Sequence, residues 1–250
     1  MPHFFIKSSD VNNNSVIISD KDNYNHIAKS LRTKPGEKLL LIDENSVQYE
    51  TVIKQINSGS IIAEVLDKYI SRRKLPFNLY LAQSPLRNND AQNFLIEKAT
   101  ELGANALYPI YTDNCALNKS VIDKKIEKWQ RIMYESSKQC ERADIPVCNP
   151  LTSVEKLLSE INFDKIFAFC ERKASMTLRE YCAVNPIKQD ENILLIIGPE
   201  GGFSEREFDF FSQNPDIKML TLGSLILRAE TAATVALGNV IYEYENYKQN

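Results

Sequence analysis

The sequence has few of the residues on which many hydrolases and metalloproteins rely. Its only two histidines, His3 and His26, lie near the N-terminus, so Ser-His, Cys-His and His-metal chemistry have few candidates. The five cysteines are an odd number and contain no C-x-x-C pair, which argues against a disulfide framework and a zinc site. We therefore expect reduced, mostly buried thiols and no metal ion, with catalysis by carboxylates, guanidinium groups, amides or a bound cofactor.

Long apolar runs and a strong positive charge are also missing. The first dozen residues contain neither a basic leader nor an apolar segment of signal-peptide length, and no later stretch approaches a membrane span. We expect a soluble, cytoplasmic protein with no membrane partner. The net charge of -3 is unusual for a nucleic-acid binder, but the charge is uneven along the chain. It is neutral over residues 1–72, positive over 73–150 and negative over 151–250.

The 250 residues are predicted to form two domains. Residues 1–72 contain short extended segments with turn signals between them, which predicts a small β-barrel or sandwich with one short helix. A basic cluster and a proline in residues 70–77 indicate the boundary. Over residues 73–250 apolar runs alternate with helical patterns, which predicts an α/β domain with a mostly parallel sheet.

Start and stop signals predict three of the helices in the second domain. A helix over residues 90–102 ends at Gly103. Two further helices are predicted to begin with capping boxes, one formed by Thr152 and Glu155 and the other by Ser204 and Glu207.

A predicted helix over residues 120–142 has two contrasting faces. One face is mainly apolar, and the opposite face has five cations and one anion: Lys124, Lys128, Arg131, Glu135, Lys138 and Arg142. Such a face is either an ordinary solvated surface or a surface that binds the phosphates of a nucleic acid.

The stretch "IIGPEGGFSEREF", residues 196–208, predicts a strand, a glycine-rich turn and a capped helix. This arrangement favours a nucleotide site at the carboxyl edge of a parallel sheet, yet it matches neither the phosphate-loop nor the dinucleotide-binding pattern. The carboxylate of Glu200 would repel a phosphate and favour a cation, whereas the glycines allow backbone to approach an adenine edge. S-adenosylmethionine, a nucleoside with a sulfonium centre, fits these requirements. The alternative is a tight turn that uses glycine only for its backbone freedom.

A second stretch, "LTLGSLILRAETAA" at residues 220–233, again ends a strand at a glycine, which makes two walls of one pocket plausible. Arg228 and Glu230 directly precede a helix rich in small residues. They form either a structural ion pair or a functional pair in which Arg228 stabilises developing negative charge.

Four motifs together resemble the ribosomal RNA small subunit methyltransferase E (RsmE) family of the SPOUT superfamily. They are "LIEKATELGA", "SSKQCERADIP", "LLIIGPEGGFSEREF" and "LGSLILRAETA", and the resemblance covers essentially the whole chain. It implies a PUA-like N-terminal barrel that docks RNA, a C-terminal SPOUT domain with a deep trefoil knot, and a homodimer. It also implies methylation of N3 of one uridine in 16S rRNA within the small ribosomal subunit, with S-adenosylmethionine as cofactor.

Carried over motif by motif, the resemblance also implies roles for individual residues. Arg228 and Glu230 would face the reaction centre. From the chemistry of uracil we hypothesise that Arg228 holds negative charge on the base and that Glu230 either accepts the N3 proton or orients Arg228. The cofactor would contact Ile197, Gly198, Glu200, Gly201, Gly202, Leu222, Gly223 and Leu227. RNA would contact Glu97, Lys98, Glu101, Gln139 and Arg142 of the motifs. Independently of the resemblance, the charge pattern of the basic face favours RNA contacts by Lys124, Lys128 and Arg131.

Three features depart from the family pattern: Asn88 and Asn89, Leu225, and the weakly basic residues 112–120. They bear on the RNA contacts more than on the cofactor loop. The alternatives are a SPOUT enzyme that methylates another RNA or a ribose 2'-O, and a non-enzymatic RNA-binding assembly factor that binds no S-adenosylmethionine. A nicotinamide-dependent oxidoreductase would need the dinucleotide fingerprint that the sequence lacks.

Overall fold

The computed structural model describes residues 3–170 and 173–248. It divides into two compact units. The first contains the chain up to Lys74 together with Ser137–Asp144, and the second contains Leu75–Ser136 and the chain from Ile145 onward. The segment Ser137–Asp144 thus belongs to the first unit, although the sequence pattern assigned it to the second domain.

The first unit is built on one six-stranded sheet. Its strands are β1 (His3–Phe5), β2 (Val11–Asn12), β3 (Ser15–Ile18), β4 (Lys38–Ile42), β5 (Val47–Asn57) and β6 (Ser60–Ile70). The spatial order is β1-β4-β5-β6-β3-β2, in which only β1 and β4 pair in parallel. A 3-10 turn (Ser8–Asp10), the short helix α1 (Lys21–Tyr24) and a π-helical turn (Asn25–Ser30) connect the strands. The predicted β-rich first part of the chain is therefore confirmed.

The long β5-β6 hairpin shows why this part of the sequence forms a sheet. Its two strands join at a tight turn in which Gly59 has a φ of +89°, a conformation that side-chain-bearing residues rarely adopt. Along β6, Ile61, Ala63 and Val65 are buried and alternate with partly exposed residues, as expected for a strand with one face on a core.

The second unit is an α/β domain. Its strands are β7 (Asn78–Gln83), β8 (Ala106–Pro109), β9 (Val147–Cys148), β10 (Lys165–Phe169), β11 (Asn192–Ile197) and β12 (Ile217–Leu220). Its helices are α2 (Asn89–Glu101), α3 (Lys119–Asp123), α4 (Ile126–Gln139), α5 (Val154–Glu160), α6 (Leu178–Val184), α7 (Glu205–Gln213) and α8 (Ala229–Lys248). The strand order is β12-β10-β11-β7-β8-β9, and every pair is parallel. The prediction of a parallel α/β sheet is confirmed.

Strand β11 lies inside this sheet, and both of its faces are covered. Ile193, Leu195 and Ile197 pack into one core and Leu194 and Ile196 into another, on the opposite face. This two-sided burial explains why the strand is a continuous apolar run, which is typical of parallel sheets with helices on both faces.

The local start and stop signals predicted most helix ends correctly. Helix α2 ends at Glu101 and is followed by Gly103 with a φ of +84°. The capping box of Ser204 and Glu207 is formed as predicted. The helix predicted to begin at Thr152 is instead capped by Ser153, whose hydroxyl accepts from the backbone N–H of Lys156.

The predicted single helix over residues 120–142 is wrong. A turn at residues 124–125 separates α3 from α4, and α4 ends at Gln139. Beyond it Glu141 has a φ of +56°, so the chain leaves the helical path before Arg142. The guanidinium of Arg142 is buried and its Nε donates to Asp144 Oδ1 at 2.9 Å. Arg142 therefore does not lie on the exposed basic face.

Ser137–Asp144 joins the first unit through contacts with the residues just before the boundary. The backbone N–H of Ala143 donates to the carbonyl oxygen of Arg73 at 3.0 Å, and the guanidinium of Arg73 forms an ion pair with Glu141. Within the described ranges, no helix is long and apolar enough to cross a bilayer.

Candidate active site

A pocket of about 700 Å³ lies at the carboxyl ends of β10 and β11. This is the edge of a parallel sheet where ligands bind in open α/β folds. Its walls come from four regions: the start of α2, the ends of the two strands, the glycine loop with the start of α7, and the loop that leads into α8. They include Asn88, Ala91, Phe169, Cys170, Lys173, Ile197, Gly198, Pro199, Glu200, Gly201, Gly202, Phe203, Glu205, Phe208, Ile226, Leu227, Arg228, Ala229, Glu230 and Ala232.

The glycine loop between β11 and α7 has little room for side chains. Gly202 has a φ of +70°, and its N–H donates to the carbonyl oxygen of Pro199 at 2.9 Å to close the turn. A Cβ on Gly198 would lie 3.3 Å from the ring of Phe203. Glycine is thus favoured at Gly202 by the backbone conformation and at Gly198 by close packing, and the three glycines leave backbone exposed along this wall.

The carboxylate of Glu200 is oriented by backbone. Its Oε1 accepts from the N–H of Arg87 at 2.8 Å, at the approach to α2. The side chain of Asn88 caps the same helix by accepting from Asp90 and Ala91. Two parts of the chain that are far apart in sequence therefore meet at the rim of the pocket.

The loop into α8 forms the facing wall, with Ile226 and Leu227 next to Arg228. Neither the guanidinium of Arg228 nor the carboxylate of Glu230 has a hydrogen-bonding or ion-pairing side-chain partner among residues 3–170 and 173–248. The ion pair between Arg228 and Glu230, one of the two alternatives that the sequence left open, is therefore not formed in the described part of the chain. Both groups line the pocket, with Arg228 exposed and Glu230 half-buried.

A cation and a carboxylate also face each other at the rim. Lys173 Nζ lies 2.8 Å from Glu205 Oε2, and the same ammonium lies 5.5 Å from the ring centroid of Phe208. Both charged side chains are solvent-exposed, so this ion pair contributes little to stability and can rearrange when a ligand binds.

Helix α7 is fixed to the segment that follows β8 by a small charged cluster. Asp113 Oδ2 accepts from Ser204 Oγ at 2.5 Å and from Arg206 Nε at 3.0 Å, and its Oδ1 accepts from Arg206 Nη2 at 2.9 Å. The hydrogen bonds from Arg206 and then Ser204 hold the pKa of the Asp113 carboxyl below its ordinary value. The hydrogen bonds that Arg206 donates to Asp113 and to Glu155 raise the pKa of Arg206.

The structure brings together most of the residues predicted for the cofactor and for catalysis. Ile197, Leu227, Arg228, Glu230 and the glycine loop all line the pocket. Leu222 and Gly223 do not line it. They lie earlier in the loop after β12, where the N–H of Gly223 donates to Thr221 Oγ1.

The residues predicted to bind RNA are more scattered. Lys124, Lys128 and Arg131 are exposed, and they form no ion pair within the described part of the chain. On α2, Lys98 is bound by Glu101 at 2.7 Å, while Glu97 is half-buried on the same helix. Gln139 is exposed at the end of α4.

Some pocket residues were not predicted from the sequence. Phe169 and Cys170 line the pocket only because β10 pairs with β11, and a sequence pattern does not reveal which strands are neighbours. Asn88 was noticed only as a departure from the family pattern, although its position as the residue before a helix was a usable signal. Within the described ranges, no three His, Cys, Asp or Glu side chains are grouped so that they could hold a metal ion.

Comparison with known proteins identifies the family. A family model for an RNA methyltransferase domain matches residues 73–241, which include the whole pocket, and one for an RNA methyltransferase PUA domain matches residues 18–66. The Buchnera aphidicola (Schizaphis graminum) protein named ribosomal RNA small subunit methyltransferase E is 30% identical over 90% of this chain and 89% of its own. The chain belongs to this RNA methyltransferase family.

Two other comparisons extend the match. The Bacillus subtilis protein of the same name is 28% identical, and the aligned region covers 88% of this chain and 87% of that protein. A crystal structure of the Neisseria gonorrhoeae protein of that name, bound to S-adenosyl methionine, superimposes with a TM-score of 0.81 at 23% identity. The superposition covers 97% of each chain, so the RNA methyltransferase fold with its N-terminal PUA-like domain extends along nearly the whole sequence.

Proposed function

We propose that this protein uses S-adenosylmethionine to methylate N3 of one uridine in the 16S rRNA of the small ribosomal subunit. The observation that carries the proposal is the pocket at the strand ends, where a bare glycine loop faces an arginine and a glutamate that have no side-chain partner in the part of the chain that the structure describes. The names of the curated relatives support a small-subunit rRNA substrate. The choice of uracil N3 follows from the resemblance to the RsmE family.

The residues around the pocket fit S-adenosylmethionine. A volume of about 700 Å³ is ample for a nucleoside with an amino-acid tail. The glycine loop offers backbone to the adenosine, and Leu227 provides an apolar contact opposite it. Carboxylates at the rim suit a ligand with two cationic centres, and Lys173 suits its carboxylate. When bound, S-adenosylmethionine supplies a methyl group attached to an electron-poor sulfur.

The chemical demand on the protein comes from uracil, whose N3 keeps its proton at neutral pH. Loss of this proton leaves negative charge over O2 and O4, and a guanidinium that is already in place stabilises such charge. Arg228 takes this role, because its donors are not occupied by another side chain within the described residues. Glu230, two residues further on, accepts the N3 proton directly or through a water. Alignment of N3 with the methyl donor is expected to supply roughly 7–11 kcal/mol of the barrier reduction.

RNA docking is assigned to two surfaces. The first unit matches an RNA methyltransferase PUA domain, which supports a role in holding the substrate. In the second unit, Lys124, Lys128 and Arg131 provide an exposed basic face suited to phosphates. The homodimer, the deep trefoil knot and the cytoplasmic location remain predictions from the family resemblance.

The test is methyl transfer from labelled S-adenosylmethionine to small ribosomal subunits that lack native methylation, followed by mass spectrometry of nuclease fragments. We expect a single N3-methyluridine in 16S rRNA. A ribose 2'-O-methyl group, or labelling of another RNA, would replace the proposed reaction with another one from the same superfamily. Absence of transfer under conditions in which the cofactor binds would refute the proposed substrate.

A further inference from the structure

The segment that follows β8 contacts the glycine loop from outside the pocket lining. Asn114 Nδ2 donates to the carbonyl oxygens of Gly202 at 3.1 Å and of Gly201 at 3.4 Å. A Cβ built on Gly201 would lie 3.2 Å from the Cβ of Asn114, so the two segments are already in tight contact. One side chain thus engages two successive peptide groups of the loop.

These two hydrogen bonds fix more than the carbonyl groups. Because the C=O and N–H of one trans peptide unit point in opposite directions, holding the carbonyls of Gly201 and Gly202 also sets the direction of the next two N–H groups. The first of them, on Gly202, is the donor that closes the turn onto Pro199. Glycine has no side chain to restrict φ and ψ, so the loop depends on such external contacts to remain in one conformation.

Asn114 is itself held in place by its neighbours. The backbone N–H of Asp113 donates to Glu207 Oε1 at 3.0 Å, and the carboxylate of Asp113 binds Ser204 and Arg206. On the other side, Thr112 Oγ1 is hydrogen-bonded to Ser84 Oγ at 2.7 Å in the core. The segment 112–114 is therefore tied to the sheet and to the start of α7, whereas Asn114 is the residue directed at the loop.

We propose that Asn114 is a positioning residue that keeps the glycine loop in the conformation that binds the cofactor. The inference rests on the proposed location of S-adenosylmethionine in the pocket. Asn114 does not line that pocket, and it acts through the loop backbone, not by touching the ligand. Its contribution is therefore to cofactor affinity and not to the rate of the chemical step.

The test compares substitutions at Asn114 with the same substitutions at Asn118, an exposed asparagine four residues further on whose side chain caps no helix N–H. Asn114→Asp retains the shape but cannot donate, and Asn114→Ala removes the amide. Both should weaken S-adenosylmethionine binding about five- to tenfold in isothermal titration calorimetry, because two solvent-exposed neutral hydrogen bonds are lost. The single-turnover rate at saturating cofactor should stay at the wild-type value, and the melting temperature of the free protein should fall by no more than about 2–4 °C, the shift expected for the loss of exposed hydrogen bonds in a chain of this size.

A third variant separates this proposal from the proposed cofactor location. Ala91→Trp places a large side chain at the pocket wall and should abolish binding if the cofactor lies there. Wild-type affinity in Asn114→Asp together with lost binding in Ala91→Trp would overturn the role of Asn114 and leave the pocket assignment intact. Wild-type affinity in Ala91→Trp would overturn both. If the Asn114 and Asn118 variants lost cofactor affinity equally, the loss would not depend on the contacts between Asn114 and the glycine loop, and the proposed role of Asn114 would be overturned.

Discussion

Removal of the guanidinium at Arg228 is the most direct test of the catalytic assignment. Its side chain is exposed and has no side-chain partner among the described residues, so Arg228→Ala should change the free energy of unfolding by no more than about 0.5 kcal/mol. Removal of a preorganised donor for developing negative charge costs roughly 10²–10³-fold in rate. Since solvent reaches Arg228 in the free protein, we expect a rate loss at the lower end of this range, about 100-fold, which corresponds to ~2.7 kcal/mol in the activation free energy.

The measurement is the single-turnover rate of methyl transfer at saturating S-adenosylmethionine, with cofactor affinity determined separately. Arg228→Lys keeps the charge without the planar fork and should fall between the wild type and the alanine variant. Arg179→Ala, which removes an exposed arginine of α6 that does not line the pocket, is the matched control and should be fully active. A rate for Arg228→Ala within threefold of wild type, with normal cofactor affinity, would refute the reasoning.

Four further predictions address other parts of the molecule. Glu230→Gln should lower the single-turnover rate about 100-fold, because glutamine cannot accept the N3 proton; an unchanged rate would make Glu230 an orienting group. Replacement of Lys124, Lys128 and Arg131 together by Glu should weaken RNA binding and lower the salt dependence of the binding constant by about 0.9 in log–log slope per lost phosphate contact. Arg142→Ala should instead lower the free energy of unfolding, measured in urea, by about 2 kcal/mol, because Arg142 is buried. If Arg142→Ala weakened RNA binding without lowering the free energy of unfolding, Arg142 would instead be a residue that contacts RNA. Because hydrogen bonds lower the pKa of Asp113, its stabilising effect is present above its ordinary pKa of 3.8 and is lost as the pH falls through the lower folded value. Melting curves of wild type and Asp113→Asn should therefore differ at neutral pH and converge in acid, and parallel curves would contradict this.

Sequence signals worked best where the structural cause is local. The capping box at Ser204 needs only residues within one helical turn, and the glycine after α2 ends that helix by its own φ. Such signals do not distinguish two neighbouring residues that can both cap a helix. Thr152 and Ser153 are both good capping residues, and in the folded chain Ser153 caps the helix. The helix of Thr177 was overlooked although it also begins with a capping box.

Signals failed where the outcome depends on residues far away in sequence. Helical spacing placed Arg142 on a basic face, but Ser137–Asp144 packs with the first unit, and α4 ends before the arginine is reached. The glycine loop was recognised from its own sequence, whereas the Asn114 contacts depend on a segment 87 residues earlier in the chain. The pocket walls at Phe169 and Cys170 likewise follow from strand order, which periodicity does not encode.

The return of the chain to its first unit at Ser137–Asp144 has a consequence during synthesis. The β-rich unit is N-terminal in numbering, but its last contributing segment leaves the ribosome only after a further stretch that builds α2, β8 and most of α4. At about 5–20 residues per second this delay amounts to roughly 4–14 seconds. During that interval Arg73 lacks Glu141 and Ala143, so a nascent chain stopped at Lys74 lacks part of the unit. An isolated fragment that contains the whole first unit would need residues from both places.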